Sequence, residues 1–431
     1  MEIPVQSSVK RSLVLFGSCA IAAIVIFQAL EIWMANRRVD SGRLDLMQRG
    51  AQLLPGDGEA WDRIGRYLQL DFADPNPQAA IQNYSKAVGA DPHSSFYWLD
   101  LASAYEDVGD LGKAQSAMEK AEAAYPISAL VSWNYGNFLV RAGQDRAGYD
   151  KIRNAVTSDP KLLPLAISRT WRSGESVDEL LNEALPANRE AYLQALTFFT
   201  QLKQPDAAMQ VWKRLVALHQ QVPIADTIPF QDILIGNDRA GDARAVWREA
   251  LQMAGMPVEE PAAHSLVWNG NFASDFVNGG LDWRWAPVAG VSASFDSPAR
   301  ANDGRSIRID FGGGANISLE QPAQYIPVEP GANYHFRGWM RSDQITTDSG
   351  VQFSIIDPNH PNAVNFTSDN FTGSHSWTAI DGNVAAGPQT HFLVVRLVRN
   401  PSRMFDNKIT GAVWISDIML RPATPTEQKT P

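Results

Sequence analysis

The segment "YHFRGWMR" (334–341) alternates two kinds of side chain. A period of two puts Tyr334, Phe336 and Met340 on one face of a strand, with His335, Arg337, Trp339 and Arg341 on the other. Indole and guanidinium planes together suit a saccharide. A pyranose has an apolar C–H face on which an aromatic ring stacks, and planar Arg, Gln and Asn groups bond its hydroxyls. "GVQFSIID" (350–357) adds Gln352 and Ser354, "HFLVVRLVR" (391–399) adds Arg396, and a preceding loop adds Trp283 and Trp285. If the strands bearing Arg337, Trp339 and Arg341 neighbour the one bearing Gln352 and Ser354, these residues line a groove of the right composition. The arginines would also suit an acidic polysaccharide. The plainer alternative is that Trp339 and Trp377 fill space between sheets while the arginines make surface ion pairs.

Bond-breaking chemistry finds no such support. The chain has no nucleophile elbow, no phosphate-cradling loop and no His pair at metal spacing. "GGG" at 312–314 lacks a lysine and a following helix, and Glu259 and Glu260 lie in a Pro-rich connection rather than across a cleft. The expectation is a protein that is not an enzyme and needs no cofactor.

The elements that must position these residues are strands. "RSIRIDF" (305–311), 334–341, 350–357, 391–399 and "GAVWISDIMLR" (411–421) succeed one another with turn residues and no helical period between them. That pattern predicts an antiparallel two-sheet sandwich. "NGNF" at 269–272, "ANDGRSIRI" at 301–309 and "WISDIML" at 414–420 resemble the entry strand, an internal strand entry and the closing strand of jelly-roll carbohydrate-binding modules, a group related to galactose-binding-like domains. The resemblance covers about 265–422 and implies a glycan ligand. Members often carry Glu after the "NGxF" Phe, where it can help hold a structural calcium ion; this chain has Ala273 there. Asp417 matches the closing Asp and is the calcium candidate, but one carboxylate is a poor site for an ion that takes six to eight oxygens.

Everything before the strands reads as helix. In "SFYWLDLASAYEDVGDLGKAQSAMEKAEAAYP", Trp98, Leu101, Ala102, Tyr105, Gly109, Ala114, Met118, Ala121 and Pro126 recur one period later as Gly136, Leu139, Gly143, Ile152, Ala155 and Pro160. They recur one period earlier as Trp61, Ile64, Gly65, Ala80, Tyr84, Ala87 and Pro92, with a short insertion. This resembles the tetratricopeptide repeat (TPR) family, which implies a stacked superhelix of helix pairs and a peptide or protein partner. The repeat is clearest over 58–160 within a helical section of 41–255. Residues 161–186 read as a shorter, irregular pair, and Ala208/Trp212 and Ala243/Trp247 mark divergent repeats. Residues 256–264 read as a linker and 423–431 as a disordered tail.

Residues 12–34 read as a transmembrane anchor, with no charged residue from 12 to 30, Trp33 at an interface and Lys10, Arg11, Arg37 and Arg38 as flanks. A signal peptide would have a shorter apolar region, and the apolar run continues well past Cys19, the only cysteine and a faint lipoprotein signal. Residues 1–11 are then a cytoplasmic tail, and the rest lies in the periplasm of a bacterium, held to the inner membrane by a single pass. A net charge of -10 without a basic stripe argues against nucleic acid as a partner. The expected fold is multidomain: transmembrane helix, all-α TPR superhelix and all-β jelly-roll sandwich. The expected role is a non-catalytic scaffold whose repeats bind a protein and whose sandwich binds a polysaccharide or oligosaccharide, in exopolysaccharide or cell-envelope polysaccharide assembly or export. In the alternative, the sandwich is itself a protein-docking module.

Overall fold

In the computed structural model the apolar N-terminal stretch is one helix, α1 (Ser8–Val39), long and apolar enough to cross a membrane, with a mean hydropathy of 2.4. It runs past residue 34, and in its last turns Ala35 and Val39 are buried against the following hairpin with Met47 and Ala51. The structure describes residues 8–71, 73–174, 176–258, 265–296 and 305–423. Residues 1–7 of the expected tail, 259–264 of the expected linker with Glu259 and Glu260, 301–304 of the expected strand entry, and 424–431 of the expected C-terminal tail lie outside the described residues. The chain divides into two compact units between Ala187 and Asn188.

After α1, the first unit continues with α2 (Leu44–Leu53), α3 (Gly58–Leu70), α4 (Pro77–Ala90), α5 (Ser95–Asp107), α6 (Leu111–Ala124), α7 (Ala129–Arg141), α8 (Asp145–Ser158), α9 (Leu163–Arg172) and the short α10 (Val177–Glu179), which passes into a π-helical turn. The helices pair antiparallel as the repeat implies, because small residues recur where axes meet. A Cβ at Gly136 would lie 2.8 Å from the Gly148 carbonyl and 2.9 Å from Ile152, so only glycine lets α7 and α8 approach so closely. Successive repeats reuse the same contacts. Trp61 Nε1 donates to the Pro55 carbonyl at 3.1 Å and Trp98 Nε1 to the Pro92 carbonyl at 2.9 Å. Lys86 and Lys120 lie over those two indoles, at 4.1 and 4.6 Å.

A polar ladder ties α3, α5 and α7. Gln69 Nε2 donates to Ser103 Oγ at 3.1 Å, and Arg141 Nε to Glu106 Oε1 at 2.6 Å. At its start Arg66 is shared by Asp62 (3.0 Å) and Asp100 (2.6 Å). Asp62 is buried, and its carboxyl faces that of Asp100 across the shared Arg66. Desolvation, with the charge of Asp100 behind it, pushes the Asp62 carboxyl up to about 7.

The second unit opens with helices α11 (Arg189–Gln201), α12 (Pro205–Val216), α13 (Ile228–Gly236) and α14 (Ala240–Ala254), followed, among the described residues, by nine strands. The strands are β1 (Val291–Asp296), β2 (Ser306–Gly312), β3 (Ala323–Pro327), β4 (Asn333–Ile345), β5 (Gln352–Ile356), β6 (Asn365–Thr367), β7 (Gly373–Ala385), β8 (Phe392–Val398) and β9 (Thr410–Pro422). They form two antiparallel sheets, β1-β2-β9-β4-β7 and β3-β8-β5-β6. Between them lies one core that includes Ile307, Ile309, Phe336, Met340, Phe353, Ile355, Val395 and Ile415. Alternation decides which side chains enter it.

The helices of this unit are not separate from the sandwich. On the outer side of the four-stranded sheet, Phe392 and Val394 are buried yet belong to no part of the inter-sheet core. Helices pack on this side of the sheet: α14 lies on β3, the neighbour of β8, and Arg244 donates to the Pro327 carbonyl at 3.0 Å. Asp232 takes Arg284 at 2.7 Å, and the Trp247 and Trp268 rings meet edge-on at 5.9 Å. Asp238 accepts from His391 Nδ1 at 2.6 Å and Asn359 Nδ2 at 2.9 Å. Its backbone is left-handed (φ 58°), as at Gly109 and Gly143 (φ 78° and 74°), each two residues before the second helix of a pair. The turn demands that conformation. Asp tolerates it better than most residues, and here its carboxylate serves the join.

These packings are open to two tests. Asp62 binds its proton more tightly folded than unfolded, where an Asp titrates near ~3.9. Folding stability therefore falls as pH rises from about 4 to about 7 and is level above. Asp62→Asn removes this contribution to the slope and raises the unfolding free energy from urea titration at pH 8 by on the order of 1–3 kcal/mol, with little change near pH 4. A D62N protein as pH-dependent as wild type would rule out Asp62 as the source. Secondly, a fragment of 188–423 unfolds cooperatively, whereas 265–423, which exposes Phe392 and Val394, loses at least about 3 kcal/mol, since each side chain contributes about 1.5–3 kcal/mol on burial. Equal urea midpoints for the two fragments would contradict the join.

Candidate functional site

The outward positions of the five-stranded sheet form rows across it. In one row Arg308 of β2, Trp414 of β9 and Arg341 of β4 are register partners. The Arg308 and Arg341 guanidinium carbons lie 5.0 and 4.7 Å from the centroid of the Trp414 ring, and Trp414 Nε1 donates to Asp296 Oδ2 at 2.8 Å. Capped in this way, Trp414 is buried. The next row on one side holds Asp310, Ala412 and Asp343, and the next on the other holds Ser416, Trp339 and Ala379. Beyond Trp339, Arg337 Nε donates to Asp381 Oδ1 at 2.5 Å, with His335 at 3.6 Å from the same oxygen. Trp339 and Trp377 are half-buried and Arg337 and Arg341 exposed. A depression of about 420 Å³ opens beside Arg341, rimmed by Asp343, Ser374, His375, Ser376 and Trp377.

Arg308 donates to both oxygens of Asp310 at 2.7–3.0 Å, and that hydrogen bonding, with the charges of Asp296 and Asp343, holds it above the ordinary guanidinium range. Asp343 also accepts from Ser374 Oγ at 3.3 Å. Among the described residues Arg341 has no carboxylate within ion-pair distance. Among the described residues, the face thus carries the half-open indoles of Trp339 and Trp377, polar hydroxyls and a guanidinium, that of Arg341, without an ion-pair partner.

The seven residues expected to form a groove do not all meet. Arg337, Trp339 and Arg341 share the face just described. Gln352 and Arg396 do not join them, because β4 and β5, consecutive along the chain, lie in different sheets. Gln352, Ser354 and Arg396 point outward from the four-stranded sheet, where Ser354 is buried and Arg396 is held by Glu320 at 2.5 Å. Trp283 is core: it is 1% exposed, packs on Phe272 and Phe276, and donates from Nε1 to the Asn269 carbonyl at 3.1 Å. Trp285 lies half-buried against the core, on a segment bridged through Arg284 to Ala323 at the β3 edge. Trp414 and Arg308 also lie on this face, although the sequence did not single them out. The alternation of "RSIRIDF" already turned Arg308 outward, but only the register brings it to Trp414.

The calcium expectation meets a different chemistry. Asp417 sits at a bulge in β9 with φ 50°, and its Oδ2 is buried without a partner among the described residues. The next residue, Ile418, donates from its backbone to the Gly270 carbonyl at 2.9 Å, and a Cβ at Gly270 would lie 2.1 Å from the Ile418 oxygen, which fixes glycine in "NGNF". Around that loop the cation present is Arg305. Its guanidinium takes the Phe272 carbonyl at 2.9 Å, the Ala273 carbonyl at 3.4 Å and Asp275 at 2.8 Å. Among the described residues no group of three or more His, Cys, Asp or Glu could hold a metal ion. Among the described residues, Asp417 stands beside a guanidinium that already uses the loop carbonyls and Asp275, a set that offers too few oxygens for an ion that takes six to eight.

No family model matches the chain, and no curated protein matches it. Among solved structures, the helical part aligns with Pseudomonas aeruginosa PilF, at 14% identity over 44% of this chain and 90% of that one, TM-score 0.30. It aligns also with YrrB, described as a TPR protein with an unusual peptide-binding site, at 14% identity over 41% and 93%, TM-score 0.29. The β part aligns with a carbohydrate-binding module of family CBM4, at 13% identity over 36% of this chain and 99% of that one, TM-score 0.27.

Arg305 makes the cross-link testable. Arg305→Ala lowers the thermal midpoint of unfolding, as a loss of about 1.5–3 kcal/mol of stability from hydrogen bonds to a charged group would. Adding EGTA or calcium to the wild-type protein leaves the midpoint where it was. A calcium-dependent rise in wild type would contradict the Arg305 reading.

Proposed function

We propose that the chain is a membrane-anchored, non-catalytic scaffold whose helical repeats engage a protein and whose β-sandwich binds a glycan on the outer face of its five-stranded sheet. The observation that carries this is the asymmetry of the sandwich. Helices cover part of the outer side of the four-stranded sheet, whereas the opposite face presents Trp339 and Trp377 with Arg337 and Arg341 around an open depression. Half-open indoles beside hydroxyl and guanidinium donors match what a pyranose needs. α1 supplies the anchor, since its length and composition suit a bilayer. A role in assembling or exporting a cell-envelope polysaccharide, with the repeats and sandwich in the periplasm, is consistent with that arrangement. It rests on the combination of parts.

The test uses the full chain in detergent micelles and affinity electrophoresis through gels containing polysaccharides. Wild type is retarded by at least one glycan. Trp377→Ala and Trp339→Ala each weaken retardation by about 10-fold or more, as loss of a stacking ring contributing about 1–2 kcal/mol would, with urea midpoints little changed. Trp283→Ala instead costs about 3–5 kcal/mol of stability as a core deletion. Retardation by no glycan, from a folded protein, would count against the proposal and favour a protein-docking role for the same face.

A further inference from the structure

We infer that the glycan of this face is acidic, with its carboxylates separated by neutral sugars, and that Arg341 receives the carboxylate. The inference rests on the glycan reading above and adds the chemical class. Three arginines on the face have clear settings. Arg308 is bound by Asp310, with Asp296 and Asp343 nearby, and Arg337 is bound by Asp381. Arg341 lies over the Trp414 ring, exposed at the rim of the depression, and has no carboxylate partner among the described residues. A guanidinium has a planar fork that matches a carboxylate in two parallel hydrogen bonds. Stacking on Trp414 holds the plane without using the N–H donors, so the fork is pre-set for an anion.

The surroundings limit the charge a ligand can carry. Trp377, Ser374 and Ser376 line the same depression, which suits neutral sugar rings on either side of the acid group. Asp343 on the rim and the net charge of -10 disfavour a dense polyanion. Screening confines that repulsion to about 8 Å at physiological salt, so an isolated carboxylate at Arg341 feels chiefly the guanidinium. A nucleic acid or a fully charged polyuronate would need several free cations in a row.

The experiment pairs each of a panel of heteroglycan oligosaccharides, bearing one glucuronate per repeating unit, with its carboxyl-reduced form. Binding to the full chain in micelles is measured by calorimetry. The acidic member of at least one pair binds about 10- to 100-fold tighter than its reduced form, as one hydrogen-bonded charge pair supplies, and weakens as sodium chloride is raised. Arg341→Gln removes the difference, the acidic form losing far more affinity than the reduced form, with an unaltered urea midpoint. If acidic and reduced forms bind equally and Trp377→Ala weakens both, the glycan reading stands and the acidic class falls. If Arg341→Gln weakens both forms alike, Arg341 acts by packing and the inference falls. If no member of any pair binds, the glycan reading itself fails.

Discussion

A stack of helix hairpins has no natural end. Each pair buries one apolar flank against the next, so the last must find another cover or expose it. In the second unit that cover is a β-sheet. The helices from Arg189 to Ala254 finish against the outer side of the four-stranded sheet, where Phe392 and Val394 are buried and Asp232, Asp238 and Arg244 make the polar ties. This one join has two consequences. It turns the final repeats from an open binding surface into part of the β module. It also commits part of one sheet face to protein, whereas the opposite face presents Trp339, Trp377 and Arg341 around a depression.

The repeats were legible because their constraints are periodic. Gly136 has to be small wherever two helices touch, and the Trp61 and Trp98 side chains repeat one hydrogen bond in successive units. The signal faded after Pro160 for a physical reason. The turn between paired helices needs a left-handed residue; Gly109 and Gly143 announce it, but Lys203 and Asp238 meet the same need without announcing it. In place of the glycine, Asp238 carries a carboxylate that reaches His391 and Asn359. The departure from the repeat pattern is thus the point where the helices become tied to the sandwich.

In the sandwich, alternation placed individual side chains correctly: Tyr334, Phe336 and Met340 are buried, while Arg337 and Arg341 are exposed. It could not say which strands become neighbours. Sequence order suggested β4 beside β5, but β4 lies between β9 and β7, so Gln352 and Arg396 fall on the other sheet. Pairing between β2 and β9 joins residues that lie far apart in the chain, such as Ile307 and Ile415, and no local pattern encodes it. Trp283 misled for another reason. It lies in a loop without a period, where composition alone does not separate a stacking platform from a core plug. Its buried Nε1 finds the Asn269 carbonyl, as a core indole must.

The same geometry assigns different work to the three indoles of the open face. Trp414 is the most buried, yet it is the one that organises the charges, because two guanidinium groups lie over its ring and its N–H is fixed by Asp296. A cation over an indole contributes about 0.5–2 kcal/mol. That is comparable to the roughly 2 kcal/mol of rotamer entropy an arginine side chain carries, so stacking can hold Arg341 in place where an isolated surface arginine would sample many positions. At Arg308 the stacked cation also meets carboxylates, and its donors are engaged by Asp310. Arg341 is held the same way without that engagement, so its ordering has already been met by Trp414 while its donors stay available. Pre-ordering of this kind lowers the entropy lost when a ligand arrives. Trp339 and Trp377 are less buried than Trp414.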